Sequence, residues 1–188
     1  VSDNVYAAPN ANFDEPSHSG VDDRFYVVST RKMLTLFFLT FGLYHLYWNF
    51  RNWQLHKLAT GEDLWPLPRA LFAILFTRTL YREIAAYDST GNWRDWDCET
   101  YANGMVFLMF AGYALSWGGK SSTFLTVVSI LLLLPIGILL KQAQAEVNAR
   151  CGDPEGSSND TFTVANIIWC TLGGVIWFLF AVGMLLIP

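Results

Sequence analysis

From Val164 to Ile187 the chain runs for 24 residues without a charged side chain. As a helix rising 1.5 Å per residue, such a stretch is roughly 36 Å long, enough to cross the ~30 Å hydrocarbon core of a bilayer. It is the clearest membrane span in the sequence, and Thr161 or Thr163 just before it supplies an N-cap. Charged residues make up only 15% of the 188, against about 25% in an ordinary soluble domain. The expected fold is therefore an all-α, polytopic membrane helix bundle with five hydrophobic helices. Three are read as full spans, and an N-terminal pair is read either as spanning or as re-entrant.

The other helices follow from composition and stop signals. Residues 1–24 are polar and Pro-containing, and are expected to form a flexible cytoplasmic tail ahead of a bundle over 25–188. No secretory leader is expected, because the first apolar run is followed by no small-residue cleavage pattern. A first helix is expected over Met33–Phe50, and Trp65-Pro66-Leu67-Pro68 sets up a second over Ala70–Tyr87. Arg78 and Arg82 lie one turn apart on that second helix, so a full crossing would place Arg78 near mid-bilayer, at about 2.5–3.5 kcal/mol. A half-buried or re-entrant helix is more economical. A third helix (Ala102–Trp117) and a fourth (Ser122–Leu140) form a hairpin across a four-residue link. Pro135 with Gly137 should kink the fourth, which then continues through polar KQAQAEVNAR to Gly152. Gly112 with Ser116, and Cys170 with Gly174, give two edges of small residues suited to close helix packing.

Orientation follows from the basic residues. With both N-terminal helices entering and leaving on one side, eleven of the twelve Lys and Arg residues are cytoplasmic and Lys120 alone is outside. That places the N-terminus in the cytoplasm and the C-terminus in the periplasm.

The motif residues Tyr26-Val27-Val28-Ser29, Lys32, Thr40, Gly42, Tyr44, Tyr47-Trp48 and Asn52-Trp53 resemble a family of small, uncharacterised bacterial inner-membrane proteins with a GxYxxYWxxxN first helix. Pro68-Arg69-Ala70-Leu71-Phe72-Ala73 is similar to their second shared stretch, and the NVYAAP leader to their NPYAAP start, with Val5 in place of Pro. The resemblance spans roughly residues 4–87. It implies a bacterial cytoplasmic (inner) membrane and carries no activity, catalytic residue or cofactor.

Chemical constellations are sparse. Ala114–Ser121 spells a phosphate-binding loop, but four of its letters belong to a membrane helix, so no nucleotide is expected. His45 and His56 are about 16 Å apart along a helix, too far to share a metal ion. Cys98 between Asp97 and Glu99 is the opposite of an activated thiolate. The net charge of −4 argues against nucleic acid. No nucleophile stands beside a base, so no catalytic residue, metal or cofactor is assigned.

Two polar groupings remain. His45, Asn49, Asn52 and His56 share one helix face and must meet protein or water rather than hydrocarbon. Arg78 and Arg82 face an acidic stretch containing Asp95, Asp97 and Glu99, either as an anchoring network or as a lipid or ion site. The expected function is a non-enzymatic accessory, scaffold or regulatory protein contacting other membrane proteins or itself within the lipid bilayer. The alternatives are an oligomeric channel or transporter with the His45–His56 face lining its path, and a lipid-modifying enzyme using Arg78 and Arg82.

Overall fold

The computed structural model describes residues 21–92, 95–118 and 122–186. Most of the N-terminal tail, the links at 93–94 and 119–121 (which hold Lys120 and the end of the phosphate-loop lettering), and the last two residues lie outside the described residues. The described chain is an all-α bundle: α1 (Thr30–Leu39), α2 (Tyr44–Thr60), α3 (Pro66–Leu71), α4 (Ala73–Ala85), α5 (Cys98–Gly118), α6 (Thr123–Leu131), α7 (Leu133–Arg150) and α8 (Val164–Leu186). A 3-10 turn at Ser157–Asn159 precedes α8.

Two helices among the described residues are long and apolar enough to cross a membrane: Thr123–Arg150, which is α6 and α7 run together, and Val164–Leu186. The five hydrophobic helices expected from the sequence reduce to these two. The third expected helix, now α5, has the length of 21 residues but is diluted by Thr100, Tyr101, Asn103, Gly104 and Tyr113. The break between α6 and α7 falls at Leu132. Pro135 explains it, because proline lacks an N–H and its ring collides with the carbonyl four residues earlier, that of Leu131.

The first expected helix, Met33–Phe50, is not one helix. α1 stops at Leu39 and α2 starts at Tyr44, so the chain reverses into a helical hairpin. The stop is a Schellman motif: Gly42 N–H donates to Phe37 O (2.8 Å) and Phe41 N–H to Phe38 O (3.3 Å). Its left-handed position, usually glycine, is held by Phe41 at φ 53°. The strain is offset by the Phe41 ring stacking on Trp177 of α8, centroids 3.9 Å apart. Thr40 bridges the break, its Oγ1 donating to Leu36 O (2.7 Å) and accepting from Tyr44 N–H (3.0 Å). The second expected helix is also divided, at Phe72, into α3 and α4; nothing in the neighbouring side chains explains that break. Pro66 occupies the first turn of α3, where its missing N–H costs nothing.

Burial is one-sided. Trp48, Trp53, Tyr81, Leu80, Ile84, Met105, Leu140 and Val147 form the core where α2, α4, the start of α5 and the end of α7 meet. At the opposite end, α6 buries no residue and α8 buries only Gly173. Phe107, Phe110, Trp117, Phe124, Leu134 and most of the large apolar residues of α8 are exposed.

The hairpin tip is wedged against both long helices. Phe38 packs on Gly137 of α7, and Leu39 on Gly173 of α8. Trp177 Nε1 donates to Phe38 O at 2.9 Å, giving a second donor to the carbonyl that already accepts from Phe41 N–H at the end of α1. Of the small-residue edges expected from the sequence, Gly112 meets only Leu132, and Gly174 faces open space. Ser116 donates to Gly112 O inside its own helix, and Cys170 is half-buried. The close approach on α8 is one residue away, at Gly173, because the contacting partner is the hairpin rather than a parallel helix. A Cβ at Gly173 would overlap Leu39 O. Gly173→Ala should therefore destabilise the protein by about 1–3 kcal/mol in thermal or denaturant unfolding. Gly174→Ala should be neutral or gain up to about 1 kcal/mol from helix propensity.

Candidate functional site

Residues 25–29 precede α1 without forming a helix, yet Phe25, Val27, Val28 and Ser29 are buried. Buried peptide groups must be paired, and here amide side chains from distant elements act as the partners. Asn52 Oδ1 accepts from Tyr26 N–H (3.1 Å), and Gln144 Nε2 donates to Tyr26 O (3.0 Å). Asn148 takes both groups of Val28, Oδ1 accepting from N–H (3.3 Å) and Nδ2 donating to O (3.0 Å). Asn159 Nδ2 donates to Val27 O (3.0 Å), and its backbone carbonyl accepts from Ser29 N–H (3.4 Å).

The segment is thus strapped to α2, α7 and the loop before α8. Lys32 Nζ adds a bond to Asn159 Oδ1, and Arg31 pairs with Asp160 (3.0 Å). The Ser29 hydroxyl and Arg31 hold the Asp160 carboxyl below its ordinary range. Asp153 shapes the same loop. Burial alone would raise its pKa, but the Ser158 and Ser157 backbone and hydroxyl donors together bring it down.

The polar face expected on the first helix lies inside this assembly. His45, Asn49, Asn52 and His56 are 6%, 1%, 0% and 0% exposed. Asn52 is in the strap, and Trp48 between them donates from Nε1 to Gln144 Oε1. Asn49 Nδ2 donates to both His45 O (2.9 Å) and His45 Nε2 (3.0 Å). His56 stacks on Phe25 and has Glu62 and Glu83 at 3.7 and 3.9 Å, with no hydrogen bond to either ring nitrogen. Burial pushes the His56 pKa below its ordinary value, while Glu83 and Glu62 push the other way and Arg24 and Arg69 assist the burial.

The second expected grouping is only partly assembled. Arg82 Nε bonds Glu99 Oε1, but the two side chains are 63% and 46% exposed. Asp97 instead caps α5, accepting from Thr100 N–H at 3.1 Å. Arg78 is exposed yet close enough to Glu99 to assist Arg82 in holding that carboxyl below its ordinary range, against the opposing charge of Asp97; Asp95 is exposed and takes no part in the grouping among the described residues.

Sequence reasoning missed the amides of α7 and the role of Arg150. That side chain is 1% exposed and donates to Ala85 O (3.1 Å) and Tyr87 O (3.2 Å), closing the end of α4, with Glu146 at 3.4 Å. The Glu146–Arg150 spacing was readable; its target on α4 was not.

A cavity of about 330 Å³ lies between the hairpin tip and α5, α6 and α7. Phe37, Phe41, His45, Met109, Tyr113 and Ile136 are among its walls. It too has no signature in the sequence. Among the described residues no group of three or more His, Cys, Asp or Glu could hold a metal ion. The chain matches no protein-family model, no curated protein and no solved structure.

Two outcomes follow. Asn148→Leu strands both peptide groups of Val28 and should cost about 2–5 kcal/mol by equilibrium unfolding, whereas Arg82→Ala, at a solvent-screened pair, should leave the unfolding midpoint close to wild type. For His56, the folded state resists a proton that the unfolded chain accepts near its ordinary pKa of 6.5. Its stabilising contribution is complete above that value and is lost as the pH falls toward the lower folded pKa. His56→Phe should therefore flatten the decline in thermal midpoint as pH falls through about 6.5.

Proposed function

We propose that this chain is an integral protein of a bacterial cytoplasmic membrane, and that it acts as a non-enzymatic scaffold or accessory subunit through helix–helix contacts. The observation that carries the reading is the division of apolar surface. One end of the molecule has a packed core with polar loops, while α8, α6 and the distal half of α5 expose large apolar side chains over their whole length. Exposed apolar area on that scale needs lipid or another helix to cover it.

In this arrangement α6–α7 and α8 cross the bilayer by their own length and apolarity, and α5, more polar at its start, crosses beside them on the exposed apolar face of Phe107, Phe110 and Trp117. The α1–α2 hairpin reaches halfway in beside them, and the core end faces the cytoplasm with eleven of the twelve basic residues. Arg78 and Arg82 then lie on the cytoplasmic part of the molecule, so no arginine has to sit in hydrocarbon.

Burial of His45, Asn49, Asn52 and His56 against protein favours the scaffold over the channel, since a wet path needs its polar lining open to water. Reconstitution into liposomes tests the reading. The protein should float with vesicles after alkaline carbonate washing, and neither wild type nor Asn49→Leu should add proton or potassium leak. A leak in wild type that Asn49→Leu abolishes at unchanged oligomeric size would establish the channel instead. Release by carbonate would refute membrane integration.

A further inference from the structure

The cavity between the hairpin tip and α5–α7 is built differently from the rest of the bundle. No Asp, Glu, Lys or Arg lines it. Its volume of about 330 Å³ falls within the range of small-molecule sites, roughly 300–1,000 Å³. Ser116 and Ser129 line it, but each hydroxyl donates back into its own helix, to Gly112 O and Thr126 O.

His45 is the exception. Asn49 Nδ2 faces two acceptors at once, His45 O and His45 Nε2. The amide therefore donates to Nε2, and the proton of the neutral ring sits on Nδ1. That Nδ1–H finds no acceptor among the described residues, on a ring that is 6% exposed and forms part of the cavity wall. Apart from the Tyr113 hydroxyl, the other named walls are aromatic or aliphatic: Phe37, Phe41, Met109, the Tyr113 ring and Ile136. The tip meets α8 at Gly173, near the middle of that helix, and the cavity wall on α6–α7 runs from Ser129 to Ile136, across the middle of the apolar run 122–140. The site is thus an uncharged slot with one neutral N–H donor, open beside the exposed side chains of Leu43 and Tyr113.

Resting on the membrane reading above, we infer that this cavity binds a neutral, bilayer-dissolved lipid with a carbonyl-bearing ring, of the quinone class. A ring carbonyl accepts from His45 Nδ1–H, the ring lies among Phe37, Phe41 and Tyr113, and the hydrocarbon tail leaves toward the apolar exterior. A charged headgroup has no counter-ion here, and a phospholipid ester lies at the membrane interface rather than halfway through it. A plain hydrocarbon chain would leave the histidine donor unpaired. The role is binding; no redox step is assigned.

The probe is a decyl-tailed benzoquinone, titrated into protein-containing liposomes with tryptophan quenching as readout and decylbenzene as competitor. Quenching should saturate, and decylbenzene should displace the quinone poorly. Gly112→Leu projects a side chain into a wall where only Leu132 lies nearby, at 4.0 Å, and should weaken binding at least tenfold. Gly174→Leu, with nothing within 4 Å, should bind as wild type. His45→Leu should lose roughly fivefold, the worth of one neutral hydrogen bond. Circular dichroism and thermal unfolding of each variant separate loss of binding from loss of fold.

Equal displacement by decylbenzene would overturn the inference in favour of a plain hydrocarbon chain. Unsaturable quenching shared by all variants would reduce it to partition into lipid. Flotation of the same vesicles after carbonate washing reads the membrane assignment separately: protein that floats without saturable binding refutes the site alone, and protein that does not float refutes both.

Discussion

The structure depends on how five buried peptide groups between Tyr26 and Ser29 are satisfied. The segment joins neither a helix nor a sheet, so the backbone has no regular partner, and burying it bare would cost a few kcal/mol per group. Asn52, Gln144, Asn148 and Asn159 supply those partners. Because the amides come from three separate places in the chain, satisfying the segment also fixes α2, the end of α7 and the loop before α8 relative to one another. Gly156 belongs to the same device: a Cβ there would lie 2.5 Å from the Val28 carbonyl, so the loop can approach only as glycine. Arg150 does for the end of α4 what the amides do for this segment.

From that anchored base the α1–α2 hairpin projects, and its tip needs a second set of contacts. The Schellman stop with Phe41 in the left-handed region is costly by itself. Stacking on Trp177 and the close approach of Leu39 to Gly173 offset it. The same turn carries His45 to the upper end of α2, where the tip, α5 and α6–α7 leave a gap rather than a packed interface. The cavity is a geometric consequence of ending one helix early, not a pocket marked by a motif.

Half of the twelve residues of the motif between Tyr26 and Trp53 have a named structural role in this arrangement. Ser29 caps α1, Thr40 bridges the break, Gly42 completes the Schellman turn, Trp48 and Asn52 bind the strap, and Trp53 takes Arg69 over its ring at 4.3 Å. A sequence pattern of this kind reads as the specification of a hairpin seated on an amide-lined base.

By itself the sequence determined that the chain is helical, where the last helix lies, that Pro135 interrupts the fourth, that Glu146 and Arg150 face each other, and that His45, Asn49, Asn52 and His56 share one face. These follow from local quantities: hydrophobic runs, proline sterics and residues spaced three or four apart. Only the tertiary structure decided that Met33–Phe50 breaks at Phe41, because the glycine that signals a helix end stands one position later than usual and the turn is held by α8, more than 130 residues away. Only it chose Gly173 over Gly174, and paired Asn148 with Val28 across 120 residues. Those outcomes depend on which side chains meet once the helices pack, and no local periodicity encodes that meeting.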